Sequence, residues 1–256
     1  MYKRQVIVSL GDTALRARMV QRALRLLSRA DIPVAAGPVT APGTRFTQAA
    51  WAAAEPVPAT PVADAVATTL DRLRAAPPGR ITLLALAPLT TVGAMIARDP
   101  VAFRRLARVV VMGGSIGSGA PTIEYNASRD PDGLRRLLAS GVPVELMPLQ
   151  ATAVALPRNA RARLFAVHSP ATDWLAVLYP LWADRNPWGP TPVLFDVVPV
   201  ARLLRPGICT PVRLRLSVTA AGATQSVPGP ANAGVCLHVD AASVLKLLQQ
   251  RLINPG

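Results

Sequence analysis

A chain of 256 residues with 51% hydrophobic and 16% charged residues has the size and apolar content of one α/β domain with a sizeable core. Its formal net charge of +14 raises the question of a polyanion partner, but the charge is almost all arginine spread along the chain, and 4% aromatics leaves few platforms for stacking bases, so a nucleic-acid partner is not expected. No apolar run reaches the roughly 18 residues a membrane helix needs and no charged-then-apolar leader opens the sequence, which predicts a cytoplasmic protein with no membrane partner.

Residues 6–10 read as a buried strand, followed by a helix to about Arg29 that Asp12 or Thr13 caps and that carries Arg16, Arg18, Arg22, Arg25 and Arg29 on its outer face. Residues 32–36 form the next strand. A loop over 37–47, the small-residue segment 48–54 and a second loop over 56–61 lead to an amphipathic helix over about 62–75, which Pro77, Pro78 and Gly79 end. Residues 81–86 are a continuous apolar run of the kind buried on both faces of a sheet, and a helix over about 91–98 follows. Strand 109–112, helix 131–140 and strand 142–147 repeat the alternation. Beyond Pro157 the pattern is helical through Tyr179, and a loop over 180–192, rich in Pro and Trp, has the character of a lid. Val212, Leu214, Leu216 and Val218 alternate with Arg213, Arg215, Ser217 and Thr219 in a half-exposed strand, and Gly222 turns it into 224–227 as an antiparallel hairpin. Strand 235–239, which contains His238 in a structural position, and a helix over 241–253 finish the chain. This order predicts an α/β fold: a doubly wound, mostly parallel sheet with helices on both faces and a small antiparallel hairpin near the C-terminus. Residues 6–10, 81–86, 109–112 and 142–147 are its expected central parallel strands, and 1–256 its single domain. Cys209 and Cys236 have no metal or redox spacing, so a buried, reduced pair is expected.

The chemistry concentrates between Met112 and Gly133, where an apolar strand ends in Gly113 and Gly114, residues that let a ligand approach the backbone closely. Glu124 and Asn126 follow two residues apart. In an extended segment that spacing puts both on one face, giving acceptors and a donor suited to a diol such as a ribose. The same residues also read as a polar loop closed by the Asp130-Pro131 turn.

The run MGG, a short gap, Glu-Tyr-Asn, two residues and Asp-Pro resembles the central signature of the inosine/uridine-preferring nucleoside hydrolases. Other pieces lie in that family's order: LGD at 10–12, DIPVAAG at 31–37, LAPLTTVGAMIARDP at 86–100, GVPVELMPLQAT at 141–152 and LFDVVPVA at 194–201. The resemblance covers nearly the whole chain. It implies cleavage of the N-glycosidic bond of a nucleoside, the small-molecule partner it predicts, with a calcium ion holding the ribose hydroxyls and the attacking water. Calcium takes six to eight oxygens. The resemblance assigns to it the Thr90 carbonyl and Asp196, whose separate readings are helix N-caps. It makes Glu124 and Asn126 the ribose-binding acid and amide and Met112 the residue packed against the sugar. Asp12 stands where the family has asparagine, and its carboxylate can accept a hydroxyl proton; with Asp196 it is the expected catalytic pair. Carboxylates near the ring favour its oxocarbenium-like transition state.

Several positions depart from the pattern. Phe195 occupies the histidine of the family's His-Asp-Pro, Thr91 the asparagine of its Pro-Leu-Thr-Asn, and Gln150 an aspartate; His168 and His238 match no family site. The family's Asp-rich strand, of the form Asp-x-Asp-x-Gly-x-Asp-Asp, is absent, and nothing before Gly11 is acidic. The opening MYKRQ carries one of only two lysines, Lys3 and Lys246, so residues 1–5 read as non-native and the chain as a gene fragment, inactive in this form and weak or empty of calcium. A second reading is a catalytically degenerate nucleoside- or ribose-binding protein of the same fold. A third, a phosphate loop at 113–119, fails on Pro121, which blocks the helix start such a loop needs. Self-association into a homo-oligomer is compatible with the sequence.

Overall fold

The computed structural model describes residues 5–40, 46–56, 62–117, 123–187 and 189–253. Expectations on 1–4, 41–45, 57–61, 118–122, 188 and 254–256 lie outside the described residues, among them most of the odd opening segment, the middles of the two early loops and Pro121. The chain divides into two compact units, residues 1–65, 155–193 and 245–256 in the first and 66–154 and 194–244 in the second.

In the first unit, β1 (Val6–Val8), β2 (Val34–Ala36) and β3 (Ala63–Asp64) form a parallel sheet in that order, with Val6 opposite Val34 and Ala35 opposite Ala63. The helix Thr13–Leu26 starts at Asp12, whose Oδ1 accepts the Leu15 N–H at 2.9 Å. The helical stretch expected through Tyr179 is broken into Arg158–Phe165 and Pro170–Ala183. His168 takes a left-handed φ of 51° between them, and Ser169 and Thr172 form a capping box that restarts the chain. Pro180 lies inside the second helix, so the expected lid loop starts only after Ala183.

In the second unit, β4 (Thr82–Ala85), β5 (Arg108–Met112), β6 (Val144–Met147), β7 (Val212–Val218), β8 (Thr224–Val227) and β9 (Ala233–Val235) form a sheet in the order β4-β5-β6-β9-β7-β8. The first four of these positions are parallel, and β7 runs antiparallel to both β9 and β8. The α/β class, the mostly parallel sheet with helices on both faces and the C-terminal hairpin are therefore as the sequence predicts. Val109, Val110 and Val111 are fully buried, as a central parallel strand requires, with Leu70, Phe103, Leu134, Leu137 and Leu146 around them.

Five further expectations change. Residues 81–86 do not give a central strand: β4 is the edge strand of its sheet, with Thr82 exposed and Leu83 and Leu84 half-buried. Residues 6–10 do not join the ladder of β4, β5 and β6, because β1 pairs into a separate sheet with β2 and β3. The last strand ends at Val235: Cys236 still donates to the Leu146 carbonyl at 3.0 Å, but Asp240 bonds the Ile208 carbonyl and caps the helix Ala241–Ile253, drawing the chain off the sheet before His238. Cys209 and Cys236 are joined in a disulfide rather than reduced, with Cα atoms 5.9 Å apart. The 3-10 turn Pro206–Ile208 delivers one cysteine beside the end of β9, a meeting that a separation of 27 residues does not signal. Finally, Glu124 is extended but Asn126 is not, because a helix, Tyr125–Arg129, begins between them. Among the described residues no helix is long and apolar enough to cross a membrane.

Candidate active site

Strand β5 delivers Met112, 3% exposed, to the carboxyl end of the sheet, where ligands of open α/β sheets bind. The backbone then turns at Gly113 and Gly114 and runs without regular structure through Ile116. Backbone groups in such a segment need partners from elsewhere. Glu124 supplies the first. Its Oε2 accepts the N–H of Gly114 and of Ala127, both at 2.9 Å, and its Oε1 accepts the N–H of Asn126 at 2.8 Å. One carboxylate thus caps the helix Tyr125–Arg129 and ties it to the end of β5, and it is 3% exposed while doing so. An ionised carboxylate has about four acceptor positions; three are filled, and the fourth is on Oε1.

Asn126 sits in the first turn of that helix, half-buried, and its Nδ2 donates to the Met112 carbonyl at 3.1 Å and lies 3.5 Å from the Met112 Sδ. Its Oδ1 takes no partner among the described residues. Met112, Glu124 and Asn126 are therefore one bonded group.

Asp196 precedes the helix Val197–Leu204, in the N-cap position, but its side chain makes no capping bond. The residue keeps an open solvent side, yet enough protein surrounds the carboxyl to strip hydration from it. That desolvation, with the negative charge of Glu124 adding to it, pushes its pKa up to about 6. The charge of Glu124 is thus felt at Asp196, although no hydrogen bond among the described residues links the two. Its helix is held from behind: Arg202, one helical face away, lies 2.7 Å from Glu145 of β6 and donates to the Pro206 carbonyl at 2.7 Å.

Thr90 opens the helix Thr90–Arg98, which Gly93 packs against Gly133, a residue of the helix Pro131–Leu138 that follows the site helix. No hydrogen bond links it to Asp196, and as a first-turn carbonyl it points along its own helix. Asp12 belongs to the first unit. It is exposed, caps its helix through Oδ1, and follows two successive left-handed residues, Leu10 at φ 72° and Gly11 at φ 64°. For a leucine that backbone is strained; the Arg16 Nε on the Leu10 carbonyl, at 2.8 Å, helps hold it.

The calcium implied by the resemblance was tested against the donors present. Among the described residues no three His, Cys, Asp or Glu side chains gather. Glu124 has spent three of its acceptors on N–H groups and keeps one; Asn126 adds its Oδ1, Asp196 its carboxylate and Thr90 at best one further carbonyl lone pair, with no contact that places Thr90 beside the others. That set does not fit an ion needing six to eight oxygens, so no step is routed through one.

Three residues that sequence reasoning did not place in the site complete it. Thr224, at the start of β8, accepts the Ser115 N–H at 2.7 Å and donates to the Ser115 carbonyl at 2.8 Å. Gln150 accepts the Ile116 N–H at 3.1 Å and donates to Ser115 Oγ at 2.6 Å. Gly222, in the hairpin turn, packs on the site helix. Only Gln150 carried a signal, as a departure from the family pattern.

A buried carboxylate, a half-buried amide and a thioether thus stand together at a strand end of an α/β scaffold, with a second carboxylate that feels the charge of the first. Comparison with known proteins makes this specific. The sequence pattern described as "Inosine-uridine preferring nucleoside hydrolase" matches residues 5–246. The chain is 30% identical over 262 residues to the pyrimidine-specific ribonucleoside hydrolase RihA of Citrobacter koseri, covering 92% of this chain and 84% of that one. Its fold is similar to that of a plant nucleoside hydrolase, with a TM-score of 0.86 at 21% identity over 99% of this chain and 91% of that one. It is also similar to a purine-preferring ribonucleoside hydrolase from Gardnerella vaginalis, at 0.76 and 19% over 93% and 85%. The chain belongs to the inosine-uridine preferring nucleoside hydrolase family, and it is a ribonucleoside N-ribohydrolase by that membership.

Proposed function

We propose that the second unit binds the ribose of a purine or pyrimidine ribonucleoside through Asn126 and Glu124 over Met112, and that Asp196 faces the bond to be cleaved. The observation that carries this is the bonded group at the end of β5. Asn126 Oδ1, without a partner among the described residues, and the one open acceptor of Glu124 can each take a sugar hydroxyl proton, while the thioether offers a soft, apolar floor. In the reaction, water oxygen bonds to C1′, the C1′–N bond breaks, and its electron pair leaves on the base. The water proton goes to a carboxylate, for which a group raised to about 6 is well placed near neutral pH. Both carboxylates gain in the transition state, where positive charge builds on the ring. Phe195 supplies no proton to the departing base. The shortage of calcium donors among the described residues supports the second reading, a nucleoside-binding protein without turnover.

Incubation with uridine and inosine, with and without added calcium, and measurement of free ribose separates the two. Turnover that falls with Asn126→Ala supports the enzyme. Tight nucleoside binding by calorimetry with no ribose released from either substrate supports the binding protein. Asn126→Ala weakens binding by about 1–3 kcal/mol on either reading, since a sugar hydroxyl loses its partner.

A further inference from the structure

We propose that the C-terminal hairpin β7–β8 is the positioning element of the ribose site, acting through Thr224 and Gly222 on the loop after β5 and on the helix Tyr125–Arg129; the inference rests on that loop and helix being the ribose site.

Three contacts carry it. Thr224 is 3% exposed, and its hydroxyl both accepts from and donates to the same residue, Ser115, at 2.7 and 2.8 Å. A side chain here does what a neighbouring strand does in a ladder, satisfying both backbone groups of one residue. Gly114, one residue earlier, takes a left-handed φ of 74° and passes so close that a Cβ there would meet Thr224 Oγ1 at 2.9 Å. The turn of the hairpin touches the other half of the site. Gly222, at φ 89°, lies backbone to backbone on the site helix, where a Cβ would meet the Ala127 carbonyl oxygen and the Ser128 Cα at 2.6 Å each. Those residues directly follow Asn126.

The hairpin is itself fixed to the unit. Arg135, on the helix Pro131–Leu138, donates to the Val218 and Thr219 carbonyls at 3.1 and 2.9 Å. β7 pairs with both β8 and β9. The hairpin therefore bridges the two segments that Glu124 also bridges. Glu124 holds Gly114 to Ala127 by charge-assisted bonds, and the hairpin holds Ser115 and Ala127 by a hydroxyl and by contact. With both in place, Met112 and Asn126, bonded through the Asn126 amide, are held in one geometry. Removing the hydroxyl frees Ser115 and lets the glycine loop drift from the sugar. Thr224 and Gly222 touch no substrate; they act through Gly114, Ser115 and Asn126.

The test uses the full chain with Thr224→Val, which keeps the shape and removes the hydroxyl, and Thr224→Ser, which keeps the hydroxyl. Hydrogen exchange is followed over 112–117 and 123–129, with β4, β5 and β6 as the internal standard. We expect Thr224→Val to speed exchange at least tenfold in those two segments and not in the three strands, with Thr224→Ser close to the parent. In turnover of uridine, Thr224→Val should lower kcat/KM at least tenfold, through KM more than kcat, and Thr224→Ser should restore most of it. Unchanged exchange in 112–129, uniform loosening across the sheet, or failure of Thr224→Ser to rescue would overturn the proposal. A parent without turnover on any nucleoside counts against the function above, while the exchange experiment still decides the role of the hairpin.

Discussion

Glu124→Gln isolates the structural work of a residue that the sequence alone presents as a sugar ligand. The wild-type carboxylate takes three backbone N–H groups, two on Oε2 and one on Oε1. An amide is best placed with its carbonyl at the Oε2 position, where it keeps Gly114 and Ala127 and turns its NH2 against the Asn126 N–H. One bond to a charged acceptor is lost, about 1.5–3 kcal/mol, the other two weaken to neutral strength, and a part-buried N–H is left without a partner. At the low end of these ranges, appropriate because the Asn126 N–H is only part-buried, the sum is about 3 kcal/mol. At roughly 2–4 °C per kcal/mol for a chain of this size, the melting temperature should fall by about 6–12 °C. Glu124→Ala, which frees all three N–H groups, should fall further. Thermal unfolding followed by circular dichroism is sufficient to read this, with no substrate present. A residue serving only the sugar would give a Glu124→Gln variant melting within 2 °C of the parent, and that result would refute the reasoning.

Three further outcomes follow from the same geometry. The Asp196 carboxyl, raised from 3.8 to about 6, holds its proton more tightly folded than unfolded, so its contribution favours the fold at low pH and is lost as pH rises from about 4 to 6. Asp196→Asn should therefore melt higher than the parent at pH 7–8 and equal to it near pH 3.5; solvent on the open side reduces the full linkage to about 1 kcal/mol, and identical pH profiles would sink the assignment. Reduction of Cys209–Cys236 releases a loop with a sequence separation of 27, worth about 3.5 kcal/mol of unfolded-state entropy, so melting with and without reductant should differ by several degrees. Phe195→His should speed release of uracil from uridine while leaving a nitrophenyl riboside, whose leaving group needs no proton, unchanged; an equal gain on both would show that leaving-group protonation is not what residue 195 limits.

Much of the scaffold was legible because burial writes itself into composition. The run that became β5 is apolar and buried from Val109 to Met112, which only a strand covered on both faces needs, and β6 is buried throughout although it carries Glu145; the apolar run at 81–86 reads the same way but became the edge strand β4, of which only Ala85 is buried. The closing helix Ala241–Ile253 and the hairpin around Gly222 were readable from period and from turn chemistry. What escaped depends on contacts distant in sequence or on short elements. The helix Tyr125–Arg129 has five residues, too few to show a period, and its start is set by the Glu124 side chain rather than by any run of helix formers. Thr224 meets Ser115 across 109 residues, and the two cysteines meet across 27. Sheet membership was lost for a similar reason: β1 has the composition of a central strand, but which neighbour it pairs with is a tertiary fact.

The departure at Gln150 takes on a different meaning once the loop is seen. Residues 113–116 belong to no helix or strand, so their donors and acceptors must be met by side chains or by passing backbone. Leu149 N–H takes the Gly114 carbonyl at 2.9 Å, Glu124 the Gly114 N–H, Thr224 both groups of Ser115, and Gln150 the Ile116 N–H together with Ser115 Oγ. An aspartate at 150 is one methylene shorter and has no donor, so it cannot reach Ile116 while giving a proton to Ser115. The change from acid to amide therefore fits the way this loop is built and does not by itself signal a lost catalytic carboxylate. Phe195 is different in kind. Its ring has no proton to give, and it stands directly beside Asp196 in the chain. Of the departures from the family pattern, the one at 195 thus bears on how a leaving group would be protonated in the proposed reaction, whereas the one at 150 bears on the shape of the loop after β5.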